Sequence, residues 1–368
     1  IFALFQGCRQ EISKGSTMQK SAIEQPAKIP STGLITVERH IAEQQHLHPY
    51  ATGAFSTLLR DMMLAIRVIS REVRRAGLAD ILGTTGDENV HGEAVRKLDE
   101  YANETIVRAV RPGGYLCAMA SEESEGLIPI PADMAKGSYV LLFDPLDGSS
   151  NIDINVTIGT IFSVYRRISR DIDQVGDMED LVQPGLRQVA AGSALYGSST
   201  VLVYTTGNGV DMFTYDPTLG EFLLSAPKIR IPESGSYYSI NEGNSPFWHD
   251  GMRSYIDSVK QDNPDENLPQ SLRYIGTAVA DVHRTLLYGG TFSYPTDRKA
   301  PDGKLRLMYE VNPLAFLVEQ AGGVAIDGRD RVLDRIPKTL HERAGLVCGS
   351  PADVERAAAF LRADPTRS

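Results

Sequence analysis

The chain has 368 residues, of which 42% are hydrophobic and 23% are charged, and its formal net charge at pH 7 is −10. These proportions are ordinary for a globular protein with room for two domains. The negative charge argues against general nucleic-acid binding, which leaves a basic surface, so an anionic substrate would have to be met by local cations. No apolar run approaches the roughly 20 residues that span a bilayer.

The N-terminal segment, residues 1–47, is predicted to be a mostly disordered leader, and Met18 is a candidate natural start. Residues 1–5 are too short for a secretory signal and lack a basic segment before them. The three cysteines, Cys8, Cys117 and Cys348, are far apart and form no CxxC pair. A sparse, odd set of this kind is typical of a reducing cytosol, so we expect a cytoplasmic protein.

The first half of the chain reads as two helices followed by strands. Apolar residues at spacings of three and four, from Leu59 to Val73, predict a helix over residues 55–76 that stops at Gly77. A second helix is predicted over 87–110. Strands are predicted over the segments 115–120, 139–143 and 156–165.

An acidic loop is predicted over 170–185, and a hairpin joins 212–215 to 221–224. The polar stretch 226–236, rich in Pro and Gly, indicates a boundary between an N-terminal domain (48–228) and a C-terminal domain (229–365). Beyond it, helices over 278–287 and 313–320 alternate with strands. The last helix is predicted to start at Ser350-Pro351, with Asp353 as its capping-box partner.

The segment FDPLDGSSN, residues 143–151, carries the most information about chemistry. Asp144 and Asp147 follow a buried strand, Pro145 prevents the strand from simply continuing, and Gly148 permits a sharp turn. Paired carboxylates suit Mg²⁺, and successive backbone N–H groups in a turn form a concave anion site. The same residue types are also ordinary turn formers, so the motif alone does not decide between a turn and a metal site.

Further carboxylates at the ends of other predicted elements favour the metal site. Glu122 and Glu123 lie just upstream, and Asp99 ends the segment 93–99. Glu310 closes the strand-like run 305–309, beside the predicted helix start at Asn312-Pro313. Each is a solvated acid when taken singly, but together they could build a polynuclear magnesium site, which needs several carboxylates.

With these pieces in place, the chain from about residue 48 to 361 resembles class I fructose-1,6-bisphosphatases. The resemblance rests on FDPLDGSSNID and on four further segments: TIGTIFSVYR (157–166), YSINEG (238–243), ADVHRTLLYGG (280–290) and GKLRLMYEVNP (303–313). It implies an α/β fold, the layered αβαβα sandwich of the sugar phosphatase and inositol monophosphatase type, and a homotetramer.

The resemblance also implies roles for individual residues. Two or three Mg²⁺ ions would be ligated by Glu122, Asp144, the Leu146 carbonyl, Asp147 and Glu310. The attacking water would be oriented or deprotonated by Asp99 and Glu123, with Glu93 standing where a catalytic-loop Asp is usual. The 1-phosphate would be held by Gly148, Ser149 and Ser150. The 6-phosphate pocket would be formed by Asn241, Tyr274, Tyr294 and Lys304, with Arg273 reaching in from a neighbouring subunit.

Some positions depart from the family pattern. Asn244 replaces a usual tyrosine, which predicts a looser grip on the 6-phosphate. The AMP effector site is matched at Thr52, Gly53, Ser56, Tyr139 and Arg166, but Ala54 and Ser138 replace a usual acid and lysine, so we expect weak AMP inhibition. A cysteine-bearing insertion near residues 170–185 is absent from the sequence, which argues against thiol switching by that route.

The expected activity is Mg²⁺-dependent hydrolysis of the 1-phosphate of fructose 1,6-bisphosphate. The alternatives are a sedoheptulose-1,7-bisphosphatase, an inositol-phosphate phosphatase and a non-catalytic sensor of sugar phosphates or AMP. The NEG and GKLRLMYE segments favour a ketose bisphosphate over inositol, and the intact carboxylate set argues against a sensor.

Overall fold

The computed structural model describes residues 34–45, 53–76, 78, 84–88, 94–170, 174–266 and 268–364, with backbone alone for 84–88 and 94–96. Thr52, Gly77, Glu93 and most of the predicted leader lie outside these ranges. The α-helices in the described residues are α1 (Val37–Gln45), α2 (Ala54–Val73), α3 (Lys97–Val110), α4 (Met178–Leu181), α5 (Asp250–Val259), α6 (Ala278–Tyr288), α7 (Asn312–Gln320) and α8 (Pro351–Ala363).

The strands come from both halves of the chain. They are β1 (Thr84–Glu88), β2 (Ala94–Arg96), β3 (Leu116–Ser121), β4 (Ile128–Pro129), β5 (Tyr139–Asp147), β6 (Ile158–Arg166), β7 (Gln188–Tyr196), β8 (Thr200–Thr205), β9 (Val210–Asp216), β10 (Glu221–Ile229), β11 (Tyr237–Ser239), β12 (Ser271–Leu272), β13 (Thr291–Tyr294), β14 (Leu305–Arg306), β15 (Val324–Ile326), β16 (Arg343–Ala344) and β17 (Leu346–Gly349).

Two large sheets organise these strands. The first has eight strands in the order β10-β9-β8-β7-β6-β5-β3-β4, and the second has five in the order β12-β11-β13-β17-β15. In the first sheet only β3 and β5 run parallel, whereas β11 is parallel to both of its neighbours in the second. Consecutive strands from β5 to β10 pair antiparallel in chain order, and the connection between β6 and β7 contains α4.

Helices cover both faces of the first sheet, which explains why β5 reads as an uninterrupted apolar run. On one face Leu141 and Phe143 pack against residues of α2 and α3. On the other face Val140 and Leu142 pack against α6 and α7, which also cover the second sheet. Helices α5 and α8 close the far side of the second sheet. The layers therefore alternate helix, sheet, helix, sheet, helix.

The predicted helix over 55–76, the strands around 115–165 and the 212–224 hairpin are present as α2, β3, β5, β6 and β9–β10. The helix predicted over 87–110 begins only at Lys97, and residues 94–96 form β2 instead. Within α3 the buried positions recur every four residues, at Leu98, Ala102, Ile106 and Val110. The predicted loop over 170–185 contains the short helix α4.

Part of the predicted leader is folded. Helix α1 buries Val37 and Ile41 against the first sheet, and the Leu224 N–H donates to the Ile35 carbonyl at 2.9 Å. The prediction of a capping box between Ser350 and Asp353 is also wrong, because the Ser350 side chain does not cap α8. The Ser350 hydroxyl accepts from the Gly290 N–H at 3.0 Å, and Asp353 accepts from the Gly235 N–H at 2.7 Å. Backbone N–H groups from distant segments therefore bind these two side chains in place of the predicted local hydrogen bonds.

The strand predicted over 305–309 ends at Arg306, and residues 307–311 form a π-helical turn that leads directly into α7. Asn312 is therefore inside the helical segment rather than a capping residue, and its amide contacts the Met308 sulfur at 3.6 Å. Every residue from Leu307 to Val311 is buried, and a fully buried apolar run has the same pattern in a strand as in a helix.

Within the described residues, no helix combines the length and apolarity that crossing a membrane requires.

Hydrogen bonds to the Asp180 carboxylate hold α4 against the loop that follows β6. Its buried carboxylate accepts from the Ile168 and Ser169 N–H groups, each at 2.8 Å, and from the Ser169 hydroxyl at 2.7 Å. Burial by itself raises the pKa of Asp180, but the hydrogen bonds from Ser169 and the neighbouring backbone outweigh it and hold the pKa below its ordinary value.

We expect Asp180→Asn to lower the free energy of unfolding by about 1.5–3 kcal/mol, the range for hydrogen bonds to a charged group. Because the folded-state pKa is depressed, the deficit is full above about pH 4, the ordinary aspartate pKa, and disappears as pH falls through the folded-state pKa. Urea unfolding at several pH values measures it. Glu179→Gln, which removes an exposed charge from the neighbouring residue, is the control and should be nearly silent.

Candidate active site

A β-bulge at the end of β5 brings its two aspartates together. Residues three apart on a regular strand point to opposite faces of the sheet. Here Asp144 pairs with Ile161 and Asp147 pairs with Gly159, so β5 contains one residue more than β6 over this stretch. An extra residue of this kind re-aims the side chains that follow it. Asp144 and Asp147 consequently contribute carboxylate oxygens to one cluster.

Two other segments bring carboxylates to the same place. Strand β3 lies parallel to β5 and ends beside it, and the Glu122 N–H donates to the Phe143 carbonyl at 3.1 Å. Glu122 and Glu123 follow in a turn, and both line the same cavity as Asp144. Glu310 belongs to the π-helical turn that precedes α7. Such turns occur frequently at functional sites.

The three innermost carboxylates, Asp144, Asp147 and Glu310, offer oxygen atoms that all lie within 4.8 Å of one another. Each is less than 10% exposed. Each also accepts one backbone hydrogen bond. Asp144 accepts from Leu146 at 3.0 Å, Asp147 from Val279 at 2.7 Å and Glu310 from Arg306 at 2.6 Å. These bonds fix the orientation of the three side chains.

Burial and mutual repulsion raise the pKa of these acids. Burial raises the pKa of Asp144 well above its ordinary value, and the charges of Glu122 and Asp147 raise it further. The same two causes, burial and the Glu122 charge, raise the pKa of Glu310. Burial raises the pKa of Asp147 to about 7, although the hydrogen bond from the Val279 N–H opposes the shift.

Cations compensate only part of this charge. Five carboxylates but only two cations, Lys304 and Arg306, occur in the described lining of the cavity. The buried Arg306 guanidinium lies 3.3 Å from a Glu122 carboxylate oxygen. The remaining negative charge, on hard oxygen donors held close together, fits divalent cations such as Mg²⁺.

The cavity, of about 260 Å³, extends from the acidic cluster along the start of α6. Gly148, Ser149 and Ser150 line it beyond Asp147. Gly148 has φ of +81°, and a Cβ at this position would overlap the Thr277 methyl group. A glycine is therefore needed both for the turn and for the close approach of α6.

Aromatic residues and a lysine also line the cavity. Tyr274, Tyr294 and Lys304 line it, and the Lys304 ammonium lies 5.9 Å from the centre of the Tyr294 ring. Asn241 and Asn244 line a smaller adjoining cavity that shares Tyr294. The lysine can meet an anion in the same cavity and is well separated along the sequence from the acids of β5.

The chain matches known protein families along nearly its whole length. Residues 35–227 match the family model described as fructose-1-6-bisphosphatase, N-terminal domain, and residues 231–362 match the corresponding C-terminal domain. The chain belongs to the class 1 fructose-1,6-bisphosphatase family. The layered α/β fold predicted from the resemblance is thereby confirmed.

Individual relatives are similar at high identity. The class 1 fructose-1,6-bisphosphatase of Chlorobium luteolum is 56% identical over 327 residues, which are 89% of this chain and 98% of the relative. That of Nitratidesulfovibrio vulgaris is 54% identical over 325 residues, covering 88% and 96%. The holo crystal structure of Leishmania major fructose-1,6-bisphosphatase superposes with a TM-score of 0.83 at 40% identity, covering 90% of this chain and 99% of that chain.

Some residues predicted for the fructose-1,6-bisphosphatase site lie elsewhere in the described chain. Asp99 is buried in the first turn of α3 and lies outside the described lining of the cavity. Arg273 is exposed, and its guanidinium lies 5.6 Å from the centre of the Tyr237 ring. Its predicted role in a neighbouring subunit therefore stays a prediction. Glu93 lies outside the described residues.

The residues predicted to bind AMP lie around the start of α2 and the end of β6. Gly53 precedes α2 with φ of +80°, and the Ser56 hydroxyl donates to Gln45 at 2.9 Å. The Tyr139 ring lies 5.5 Å from both the Phe55 ring and the Arg166 guanidinium. Thr52 lies outside the described residues, so the structure describes only part of the set of residues predicted to bind AMP.

Sequence reasoning assigned no role to Arg306 or to the start of α6. Arg306 contacts two of the acids, one through its side chain and one through its backbone N–H. A signal was present, because an arginine inside the apolar run 305–311 needs a buried partner. Helix α6 supplies Thr277 against Gly148 and the Val279 N–H to Asp147, and neither contact has a signature in the sequence.

Gly148→Ala tests the close approach of α6. We expect a substantial loss of both stability and kcat/KM, because the new methyl group displaces Thr277 in addition to straining the backbone. Gly220→Ala is the matched control, since Gly220 also has positive φ but has no atom near its Cβ position. The control should lose only about 1–2 kcal/mol, the cost of the left-handed backbone. Urea unfolding and steady-state kinetics measure both variants, and equal behaviour would contradict the role given to Thr277.

Proposed function

We infer that this protein hydrolyses the 1-phosphate of fructose 1,6-bisphosphate to give fructose 6-phosphate and phosphate. The observation that carries the inference is one cavity lined both by an excess of buried carboxylates and by Lys304. A sugar with a phosphate on each end matches this lining, with cations on the carboxylates meeting one phosphate and Lys304, at the remote end, meeting the other. The relatives all bear the name of this activity, and nothing favours the sedoheptulose bisphosphatase or sensor alternatives.

We propose that the acidic end holds two or three Mg²⁺ ions. The ligands would be the carboxylates of Glu122, Asp144, Asp147 and Glu310, with the Leu146 carbonyl. When bound, the ions neutralise charge on the phosphoryl oxygens and lower the pKa of a coordinated water. The number of carboxylates in excess of cations in the lining supports more than one divalent ion.

The chain's own groups then have distinct tasks. Glu123 and Asp99 would orient or deprotonate the attacking water, while Gly148, Ser149 and Ser150 would hold the reacting phosphate. Glu123 lines the cavity and its charge acts on Asp144, which supports its place beside the reaction. Arg306 limits the repulsion between Glu122 and Glu310 and thereby keeps both carboxylates in place. Because the phosphoryl group carries charge throughout the reaction, fixing these groups in advance is most of the catalytic task.

The remote phosphate would be recognised by Lys304, Tyr274, Tyr294 and Asn241, with Arg273 from a neighbouring copy. Lysine acts on phosphate as a point charge, and tyrosine hydroxyls add hydrogen bonds with direction. Tyr274 and Tyr294 interact through their hydroxyl groups, which supports a shared polar site at this end.

Several broader features are proposed on the same footing. Division into domains 48–228 and 229–365 is supported by the large sheet ending at Ile229 and the second sheet beginning at Tyr237. The protein would form a homotetramer, in which Arg273 of one copy reaches the remote phosphate bound by its neighbour. The protein would act in the cytoplasm, in gluconeogenesis or the Calvin cycle. AMP would be a weak effector at the Tyr139–Arg166 cluster, where Ser138 provides no cation.

The metal assignment predicts that Asp144→Asn and Glu122→Gln leave only a few per cent of turnover at saturating Mg²⁺. Without divalent metal, Asp144→Asn should unfold at the wild-type temperature or higher, because it removes one of several repelling buried charges. The rise in melting temperature on adding Mg²⁺ should be lost in both variants. Thermal melts and phosphate release measure these effects.

The control for these two variants is Glu125→Gln, an exposed acid three residues from Glu122. It should behave as wild type in both assays. Substantial turnover by Asp144→Asn at saturating Mg²⁺ would rule out its role as a ligand.

The remote-phosphate assignment predicts that Lys304→Ala raises KM for the bisphosphate about tenfold or more, with little change in kcat. A group that binds equally in the ground and transition states affects KM alone. Arg273→Ala should do the same in the oligomer. Lys299→Ala, an exposed lysine that lies against Phe247 and not in the described lining of the cavity, is the control. An unchanged KM in Lys304→Ala would place the remote phosphate elsewhere.

A further inference from the structure

Asp281 is a fully buried carboxylate that lines neither described cavity, yet it binds one segment that lines the main cavity and one that lines the smaller adjoining cavity. Its oxygens accept from the Ser239 hydroxyl at 2.8 Å, from the Gly276 N–H at 3.1 Å and from the Ile275 N–H at 3.1 and 3.2 Å. The Arg284 guanidinium donates to it at 3.0 Å and supplies the compensating charge. Both carboxylate oxygens are therefore fully engaged by groups from three parts of the chain.

The two segments joined by Asp281 lead directly to the remote end of the cavity. Ser239 ends β11 and precedes Asn241 by two residues. Ile275 follows Tyr274, which lines the same cavity as Lys304. A displacement of either segment would change the separation between Asn241 and Tyr274.

The segment from Arg273 to Gly276 depends on this carboxylate for its position. Ile275 is 39% exposed, so burial of apolar surface holds it only in part. On the strand side, the Arg273 N–H donates to the Tyr238 carbonyl at 2.9 Å. Gly276, at φ of +95°, then turns the chain toward α6. The Asp281 carboxylate receives both N–H groups of the turn, and no neutral side chain of this size could accept from all of them.

The reacting end of the cavity is held by different contacts. Thr277 caps α6 by accepting from the Ala280 N–H at 3.2 Å, and the Val279 N–H contacts Asp147. Neither bond involves the Asp281 carboxylate, whose charge acts on Asp147 only through space. Loss of that carboxylate should therefore disturb the segments that it binds while leaving the hydrogen bonds of the metal end in place.

We propose that Asp281 is a positioning residue for recognition of the remote phosphate of the substrate, because it fastens the segments that carry Asn241 and Tyr274. The proposal rests on the proposed function, since that function defines which phosphate is remote. Asp281 itself touches no substrate.

The experiment compares wild type with Asp281→Asn and Ser239→Ala. Asparagine keeps the shape but turns an N–H₂ group toward the backbone donors, whereas Ser239→Ala removes one bond and leaves the carboxylate intact. We measure KM and kcat for fructose 1,6-bisphosphate, and the inhibition constants of fructose 6-phosphate and of inorganic phosphate.

For Asp281→Asn we expect KM and the fructose 6-phosphate inhibition constant to rise together by about tenfold, the value of one charge-assisted hydrogen bond. The value of kcat and inhibition by inorganic phosphate, which binds at the metal end, should stay near wild type. Ser239→Ala should show the same pattern with a smaller rise. Asp353→Asn is the matched control, since Asp353 is another buried aspartate that accepts from a backbone N–H and a side chain. It should lose stability but keep both constants.

An unchanged KM, or equal weakening of fructose 6-phosphate and inorganic phosphate, would overturn the proposal. If Asp281→Asn does not fold, Ser239→Ala decides the question by the same criteria. A wild-type protein that is inactive on fructose 1,6-bisphosphate would overturn the proposed function itself, and this proposal with it.

Discussion

Repulsion among buried carboxylates is the constraint on which the architecture of this site depends. Asp144, Asp147 and Glu310 lie within a few ångströms of one another where water cannot screen them. Left unbalanced, such a group would separate or take up protons. The fold instead supplies one backbone N–H to each carboxylate and a single buried arginine between Glu122 and Glu310. The remaining charge is what makes the site suited to divalent cations.

The layered fold provides the stiffness that this arrangement needs. Strands β3 and β5 are buried on both faces, so their ends cannot shift without disturbing the packing of two layers. The π-helical turn and α6 come from the helical layer between the two sheets, and they approach the strand ends from the same side. Small residues make that approach possible. Gly159 and Gly148 both face atoms of α6 where a larger side chain would collide.

The two ends of the cavity are held in place by different physical means. At the acidic end, the clustered carboxylates of Asp144, Asp147 and Glu310 extend from a buried strand and a buried turn. At the remote end, Tyr274 lies on a short, largely exposed segment that is fixed mainly by hydrogen bonds to Asp281. The contacts of Asp281 are thus separate from the backbone hydrogen bonds that orient Asp144, Asp147 and Glu310.

The local features of the chain were readable from sequence alone. The periodicity of α2 and the turn at Gly148 depend on residues close together in the sequence, and both appear where they were predicted. The strand predicted to end at Phe143 instead continues past Pro145, so Asp144 and Asp147 lie within β5 and do not follow it. The family and the fold were predicted from the resemblance to class I fructose-1,6-bisphosphatases. Prediction failed where burial was complete, as in residues 307–311, because a pattern records which positions are apolar and not which element covers them.

Tertiary structure alone decided the contacts between distant segments. Arg306 meets Glu122 across 184 residues, and Asp353 binds Gly235 and Gln270 instead of capping its own helix. The β-bulge that places Asp144 beside Asp147 exists only in the pairing with β6. Such contacts form because buried polar groups must find partners wherever the packing brings them, and the sequence specifies that need without naming the partner.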